Sequence, residues 1–151
     1  IVIPPRYKLH DYVNLYFNAR NPMMYRIVRK RNHKELVVLK IDVAILDING
    51  VIIADKNASS DYVRFCNVSE GIHNLKGERV YARYWNDPDP IEKHRKTSEI
   101  CAEVLIPDSL RHEYILGCYV SCQESLDRVK ILLTGTHIAN KVLINSDIFF
   151  Q

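Results

Sequence analysis

Apolar residues along this chain come in short runs, each bounded by turn formers or charges. "DYVNLYF" (11–17) alternates and is rich in aromatic and β-branched residues, the signature of a strand. "NARNPMMYRIVRKR" (18–31) reads as a turn into a helix, with Asn21 as N-cap and Pro22 at the first helical position. "LVVLKIDVAILD" (36–47) predicts one or two buried strands. Asn49-Gly50 is a turn signal ahead of "VIIAD" (51–55), so this stretch reads as a hairpin. "KNASSDYVRF" (56–65) begins as a polar loop. In "GERVYARYW" (77–85), Val80 with Tyr84 and Tyr81 with Trp85 recur at helical spacing, and "NDPDPIEKHRK" (86–96), with two prolines and mixed charges, predicts a loop. Residues 100–106 form an apolar run closed by Pro107, a strand, and "YILGCYVS" (114–121) is another. "ESLDRVKILLTG" (124–135) predicts a short helix with Leu126, Val129 and Leu133 on one side and Gly135 as its stop, before a closing strand in "KVLINSDIFF" (141–150). Strands predominate, helices are short, and the order is no regular βαβ alternation. The expected fold class is therefore α+β with a mixed or antiparallel central sheet.

Composition narrows the picture only a little. At 151 residues, 47% hydrophobic and 26% charged, the chain suits one soluble domain with its own core. No apolar run approaches the roughly 18 residues of a membrane span, and "IVIPPRYKLHDYV" has no secretory leader pattern. The first residue is Ile rather than Met, so an upstream segment is expected. The four cysteines (66, 101, 118, 122) form no C-x-x-C pair. They read as reduced thiols of a cytoplasmic protein, and no metal site is expected. The net charge of +3 is mild, but "YRIVRKRNHK" (25–34) and "KHRK" (93–96) concentrate it. Such clusters suit a phosphate backbone or an acidic partner, or are simply solvated faces.

Familiar catalytic signatures are missing: there is no Walker loop, G-x-G-x-x-G, G-x-S-x-G or H-E-x-x-H. Three segments have unusual content. "LHDYVNLYFNARNPMMY" (9–25) places Tyr12, Tyr16, Phe17 and Tyr25 around Arg20, a combination that can stack a flat ring and hold an anion, or form a core strand with a snorkelling Arg. "YARYWNDPD" (81–89) again sets aromatic beside polar residues. In "SEICAEVLIPD" (98–108), alternation puts Glu103 on one strand face with Cys101 and Leu105. By residue type, the ordinary reading is an edge strand with a wet second face; the other is a buried carboxylate with a task.

Together "HDYVNLYFNARNPMMY", "YARYWNDPDP…HRK" and "CAEVLIPD" resemble the successive motifs of the DarT-type DNA ADP-ribosyltransferases, in order and over most of the chain, including a terminal strand like "VLINSDIFF". The resemblance implies an ADP-ribosyltransferase-like α+β fold with a split central sheet, and a single such domain over 1–151 that lacks its N-terminal segment. It implies an enzyme that takes NAD as substrate, uses no metal, and attaches ADP-ribose to a base, thymine, in single-stranded DNA as the toxin of a toxin–antitoxin pair. The implied partner is a DarG-like macrodomain antitoxin, and the chain is expected to be a monomer. Glu103 takes the position of the catalytic glutamate, with Glu99 as the second choice and expected to face solvent. Tyr16, Phe17, Asn18 and Arg20 would line the NAD cleft, although Asn18 also reads as a turn residue. Tyr84 and Trp85 would stack an unpaired base, or pack as a helix face, and Arg29, Lys30, Arg31 and Arg95 would guide the strand. Met23 and Met24 belong to the core and His10 to the surface. The family pattern also has an earlier segment carrying an NAD-binding histidine and a loop arginine, for which Arg6 is no substitute. Two alternatives stand beside this reading: a catalytically silent nucleic-acid-binding domain, and the same chemistry on RNA or protein.

Overall fold

The short apolar runs become short strands in the computed structural model, which describes residues 2–3 and 7–151; Arg6 lies outside them. In chain order the elements are β1 (Val2–Ile3), β2 (Tyr7–Lys8), β3 (Tyr12–Tyr16), α1 (Pro22–Val28), β4 (Val38–Ile41), β5 (Ile52–Ala54), β6 (Phe65–Asn67), α2 (Val68–Asn74), α3 (Gly77–Val80), α4 (Pro90–Glu99), β7 (Glu103–Pro107), β8 (Ile115–Val120), α5 (Gln123–Leu132) and β9 (Val142–Ile144). The chain divides into two units, residues 1–22 with 45–110, and residues 23–44 with 111–151.

The first unit is built on an antiparallel sheet of order β3-β7-β5-β6, with β1 and β2 forming a separate pair. Strand β7 is therefore central, and Glu103 through Ile106 are all buried. The wet edge strand suggested by residue type does not occur: β3 and β5 cover both edges of β7. One sheet face carries Ile53, Val104 and Ile106. Helix α2 lies against it so closely that a Cβ at Gly71 would fall 2.3 Å from Ile53 Cβ. The other face carries Tyr12, Leu105 and Ala54, packed with Ala58 and, around them, Leu9, Ile52, Val63 and Phe65.

The second unit holds a sheet of order β4-β8-β9, antiparallel between β4 and β8 and parallel between β8 and β9. Leu126, Val129 and Leu133 form the predicted stripe on α5 and pack against Cys118, Val120 and Val142. Antiparallel and mixed sheets with short helices give the expected α+β class.

Local expectations fail in five places. Val43–Asp47 is a 3-10 helix, and β4 is half exposed rather than buried. The Asn49-Gly50 turn forms, with Gly50 at φ +84°, but its flanking strands β4 and β5 belong to different sheets; β5 forms its hairpin with β6. The helix at 77 ends after Val80, so Tyr81 and Trp85 are not on a helix. The 86–96 loop contains the start of α4, whose N-cap Asp89 accepts a hydrogen bond from Ile91 N (3.0 Å) with Pro90 in the first turn. The last strand stops at Ile144 and a 3-10 turn, Ser146–Phe149, follows. All four cysteines are free thiols. Among the described residues, no helix is long and apolar enough to cross a membrane.

Candidate active site

Glu103 opens β7 opposite Tyr16 on β3 and Ala54 on β5, and only 3% of its surface is exposed. Each carboxylate oxygen has one donor. Asn14 Nδ2 donates to Oε2 at 2.7 Å, and the Ala58 backbone N–H donates to Oε1 at 2.8 Å. Neither donor is charged. Burial raises the Glu103 pKa above the ordinary glutamate value, while the Ala58 and Asn14 hydrogen bonds hold the shift back. The Tyr16 phenol, half exposed beside it, is pushed far above its usual value by burial first and then by the nearby Glu103 carboxylate, so it stays protonated.

The polar loop 55–64 delivers the Ala58 amide, and helix α4 anchors that loop. Asn57 N donates to Ser98 O (3.1 Å), and the Ser60 and Ser98 hydroxyls are 2.6 Å apart. At its start, Arg64 and the Asp55 carboxylate are joined at 2.9 Å across the loop's base.

The turn after β3 links the aromatic motif to the second motif. The Asn18 amide is engaged at both ends: Oδ1 accepts from Arg20 N (3.0 Å), and Nδ2 donates to Val80 O (3.0 Å). Arg20 Nη1 donates to Arg83 O (2.8 Å), and Phe17 N to Ala102 O (3.3 Å). Asn21 is buried and donates to Asn18 O (2.7 Å). Two segments more than sixty residues further along the chain thus meet residues 14–20: Val80 and Arg83, at the start of the second motif, and Ala102 and Glu103 of the third.

Tyr84 is 71% exposed next to Arg83, and Trp85 is half-buried. Arg95 is exposed on α4 and its Nη1 bonds Glu92 (2.6 Å). Arg29, Lys30 and Arg31 are exposed in the second unit, at and after the end of α1; Arg29 donates to Tyr25 Oη (2.6 Å) and lies over its ring. Met23 and Met24 are half-buried and His10 is exposed. Glu99 does not face solvent as expected. It is half-buried, with Oε2 at 3.9 Å from Arg79 Nε, because the last turn of α4 brings it beside Arg79 of α3. Sequence reasoning missed Asn14 and the Ala58 amide. Asn14 lies two residues from Tyr16 on one strand face, which was visible, but its neighbour across the sheet was not.

The family model described as "ssDNA thymidine ADP-ribosyltransferase, DarT" matches residues 1–150. The chain belongs to the DarT family. A Thermosipho africanus (strain H17ap60334) protein, a DNA ADP-ribosyl transferase–DNA ADP-ribosyl glycohydrolase fusion, is 31% identical over 133 residues, 86% of this chain and 33% of its own length. The solved Thermosipho africanus DarTG in complex with ADP-ribose matches with a TM-score of 0.82 and 26% identity, over 99% of this chain and 38% of that one. Thermus sp. 2.9 DarT, at 24% identity and over 99% of this chain, matches in its NAD+ complex (TM-score 0.79, 77% of that chain) and with ADP-ribosylated ssDNA (0.81, 73%). The chain spans a third to just over half the length of the curated DarT relatives it matches. The fold is that of the DarT structures, an α+β ADP-ribosyltransferase fold.

Proposed function

We propose that this chain is an NAD-dependent ADP-ribosyltransferase that modifies a base, thymine, in single-stranded DNA. The observation that carries this reading is Glu103: a carboxylate buried at the centre of the sheet, held by two neutral donors, in a chain of the DarT family. A buried carboxylate that has no cationic partner among the described residues fits a substrate whose reacting sugar gains positive charge, and NAD is such a substrate. NAD would supply the ADP-ribosyl group, with nicotinamide as leaving group.

The work of the chain's own residues follows from their placement. Glu103 accepts a hydrogen bond from a ribose hydroxyl, balances the positive charge that develops on the sugar, and takes the proton from the attacking base nitrogen. Its raised pKa suits that last role. Asn14 and Ala58 are positioning groups that fix the carboxylate. Tyr16, Phe17 and Arg20 line the NAD cleft, with the Arg20 guanidinium on the pyrophosphate, and Asn18 shapes the turn that presents them. Tyr84 and Trp85 stack the displaced base, and Arg29, Lys30, Arg31 and Arg95 draw in the strand. The 1–150 family match supports reading the chain as one such domain. The fusion of transferase and glycohydrolase in the Thermosipho relative supports a toxin role in the cytoplasm, opposed by a DarG-like macrodomain antitoxin that removes the mark.

The test compares acceptors. With labelled NAD, label is expected on thymine-containing single strands and on neither thymine-free strands, duplex, RNA nor bulk protein. Transfer to RNA or protein alone would reassign the acceptor. Binding of DNA without any transfer, by the full-length protein across many oligonucleotides, would leave a silent binding domain.

A further inference from the structure

Ser98, in the last turn of α4, is 8% exposed, and the chemistry above gives its hydroxyl no task. A hydroxyl buried this far costs stability unless it is bonded. The other buried serines among the described residues, Ser121 and Ser125, bond to the backbone carbonyls of His33 and Lys34 in the second unit. Ser98 instead holds the loop that serves Glu103. Its Oγ lies 2.6 Å from Ser60 Oγ, and its carbonyl, one of those a helix end leaves free, accepts from Asn57 N (3.1 Å). One helical residue thus grips the loop at two points, and Ala58 lies between them. The loop also closes on itself across this span: Ser60 N donates to Asn57 O (2.9 Å) and Ser59 N to Asn57 Oδ1 (3.0 Å). Ala58 is 1% exposed, so its N–H cannot turn to water, and Glu103 Oε1 accepts from it at 2.8 Å.

We propose that Ser98 and Ser60 are positioning residues of the transfer reaction: their hydroxyl pair sets the place of the Ala58 amide, and through it the orientation of the Glu103 carboxylate. The proposal rests on the role given to Glu103 above and deepens it. A hydrogen bond weakens steeply once its donor moves out of line. With the pair broken, the turn at 57–60 keeps its internal bonds but loses its second hold on α4. The Ala58 bond favours the charged form of Glu103, so a slack loop shifts this carboxyl toward its neutral form. The titratable groups around Glu103 are Tyr16 on β3, which stays protonated, Cys101 on the same strand face, and Asp55, paired with Arg64 and Lys56. Substituting Ser60 or Ser98 changes no charge among them.

The test uses Ser60→Ala and Ser98→Ala in the full-length protein, singly and together. Ser60 lies half-buried on a loop, so Ser60→Ala keeps the test sound should Ser98→Ala fail to fold. Each single variant is expected to lower kcat about tenfold with KM for NAD unchanged, and the double variant no further, because both remove one bond. The acid limb of the rate profile is expected to move upward, and with it the titration of the Glu103 carboxyl carbon followed by NMR. Ser60→Thr, which keeps the hydroxyl, restores the parental values. Thr97→Ala, whose lost hydroxyl bonds Lys93 O on the same helix (2.7 Å), leaves them unchanged. A fall in kcat without movement of the carboxyl titration marks a merely structural role and overturns the proposal. So does an unchanged kcat, or an unchanged titration, in folded Ser60→Ala. The NMR titration needs no substrate: if it moves as expected while the unsubstituted protein labels no DNA, the hydroxyl pair keeps its role toward Glu103 and the underlying function is what fails.

Discussion

At the scale of single residues, Glu103 is governed by a contest between burial, which favours its neutral form, and two hydrogen bonds, which favour the charged one. Burial wins, so the folded protein holds this proton above the ordinary glutamate value. Between that ordinary value and the folded pKa, the folded state binds more protons than the unfolded. Glu103 therefore makes stability fall as pH rises through this window, and level off above it. Transfer needs the carboxylate ionised, so the acid limb of the rate profile is expected above the ordinary glutamate range. Asn14→Ala removes one of the two bonds that favour ionisation. Its acid limb is expected to move further upward, while Asn14→Asp, which adds a like charge, moves it at least as far; a limb that stays in place in both variants contradicts the role given to Asn14. Glu103 itself stood out in the sequence as a carboxylate inside an apolar run. Its partners did not, because Asn14 lies 89 residues away and a backbone amide has no side-chain signature.

At the scale of elements, sequence signals were read well where one local cause suffices and poorly where two compete. The α5 stripe of Leu126, Val129 and Leu133 and the alternation in β3 needed only periodicity. Helix α4 is hard to see in the sequence because Pro88 and Pro90 read as breakers, although Asp-Pro at 89–90 is a start signal in which proline fits the first turn. The turn at Asn49-Gly50 was legible, but which strands it separates is decided by sheet pairing far away in sequence. Packing of α2 offers a test. Alanine at position 71 would gain about 1 kcal/mol of helix propensity. Its Cβ would also meet the fully buried Ile53 backbone-proximal carbon at 2.3 Å, and no rotamer of Ile53 moves a Cβ aside. The clash wins, at a net cost of about 1–3 kcal/mol. Gly71→Ala is expected to lower the thermal midpoint by several degrees, and Ile53→Val does not rescue it. A midpoint at or above that of the parent would show that α2 does not pack on this face.

At the scale of the molecule, a net charge of +3 hides its organisation. Lys30 and Arg31 are exposed, and Arg95 is exposed on α4. Each phosphate neutralised by such a side chain contributes about 0.7 to the slope of log affinity against log salt for a single strand. Lys30→Gln with Arg31→Gln is therefore expected to flatten that slope by about 1.4, weakening binding at low salt most. An unchanged slope removes this cluster from the DNA path. The family assignment was legible because three motifs keep their order along the chain, and the structure gives that order a physical reason: residues 14–20 bond to Val80, Arg83, Ala102 and Glu103.

The most direct test is Glu103→Gln in the full-length protein. Glutamine keeps the size of the side chain and removes the charge, and the Asn14 amide can turn to accept from its new N–H, so the thermal midpoint should stay within a few degrees. Transfer of labelled ADP-ribose to a thymine-containing single strand should fall by about a hundredfold to a thousandfold, with DNA affinity retained. Transfer at an undiminished rate by the folded variant would contradict the assignment of the chemistry to this carboxylate.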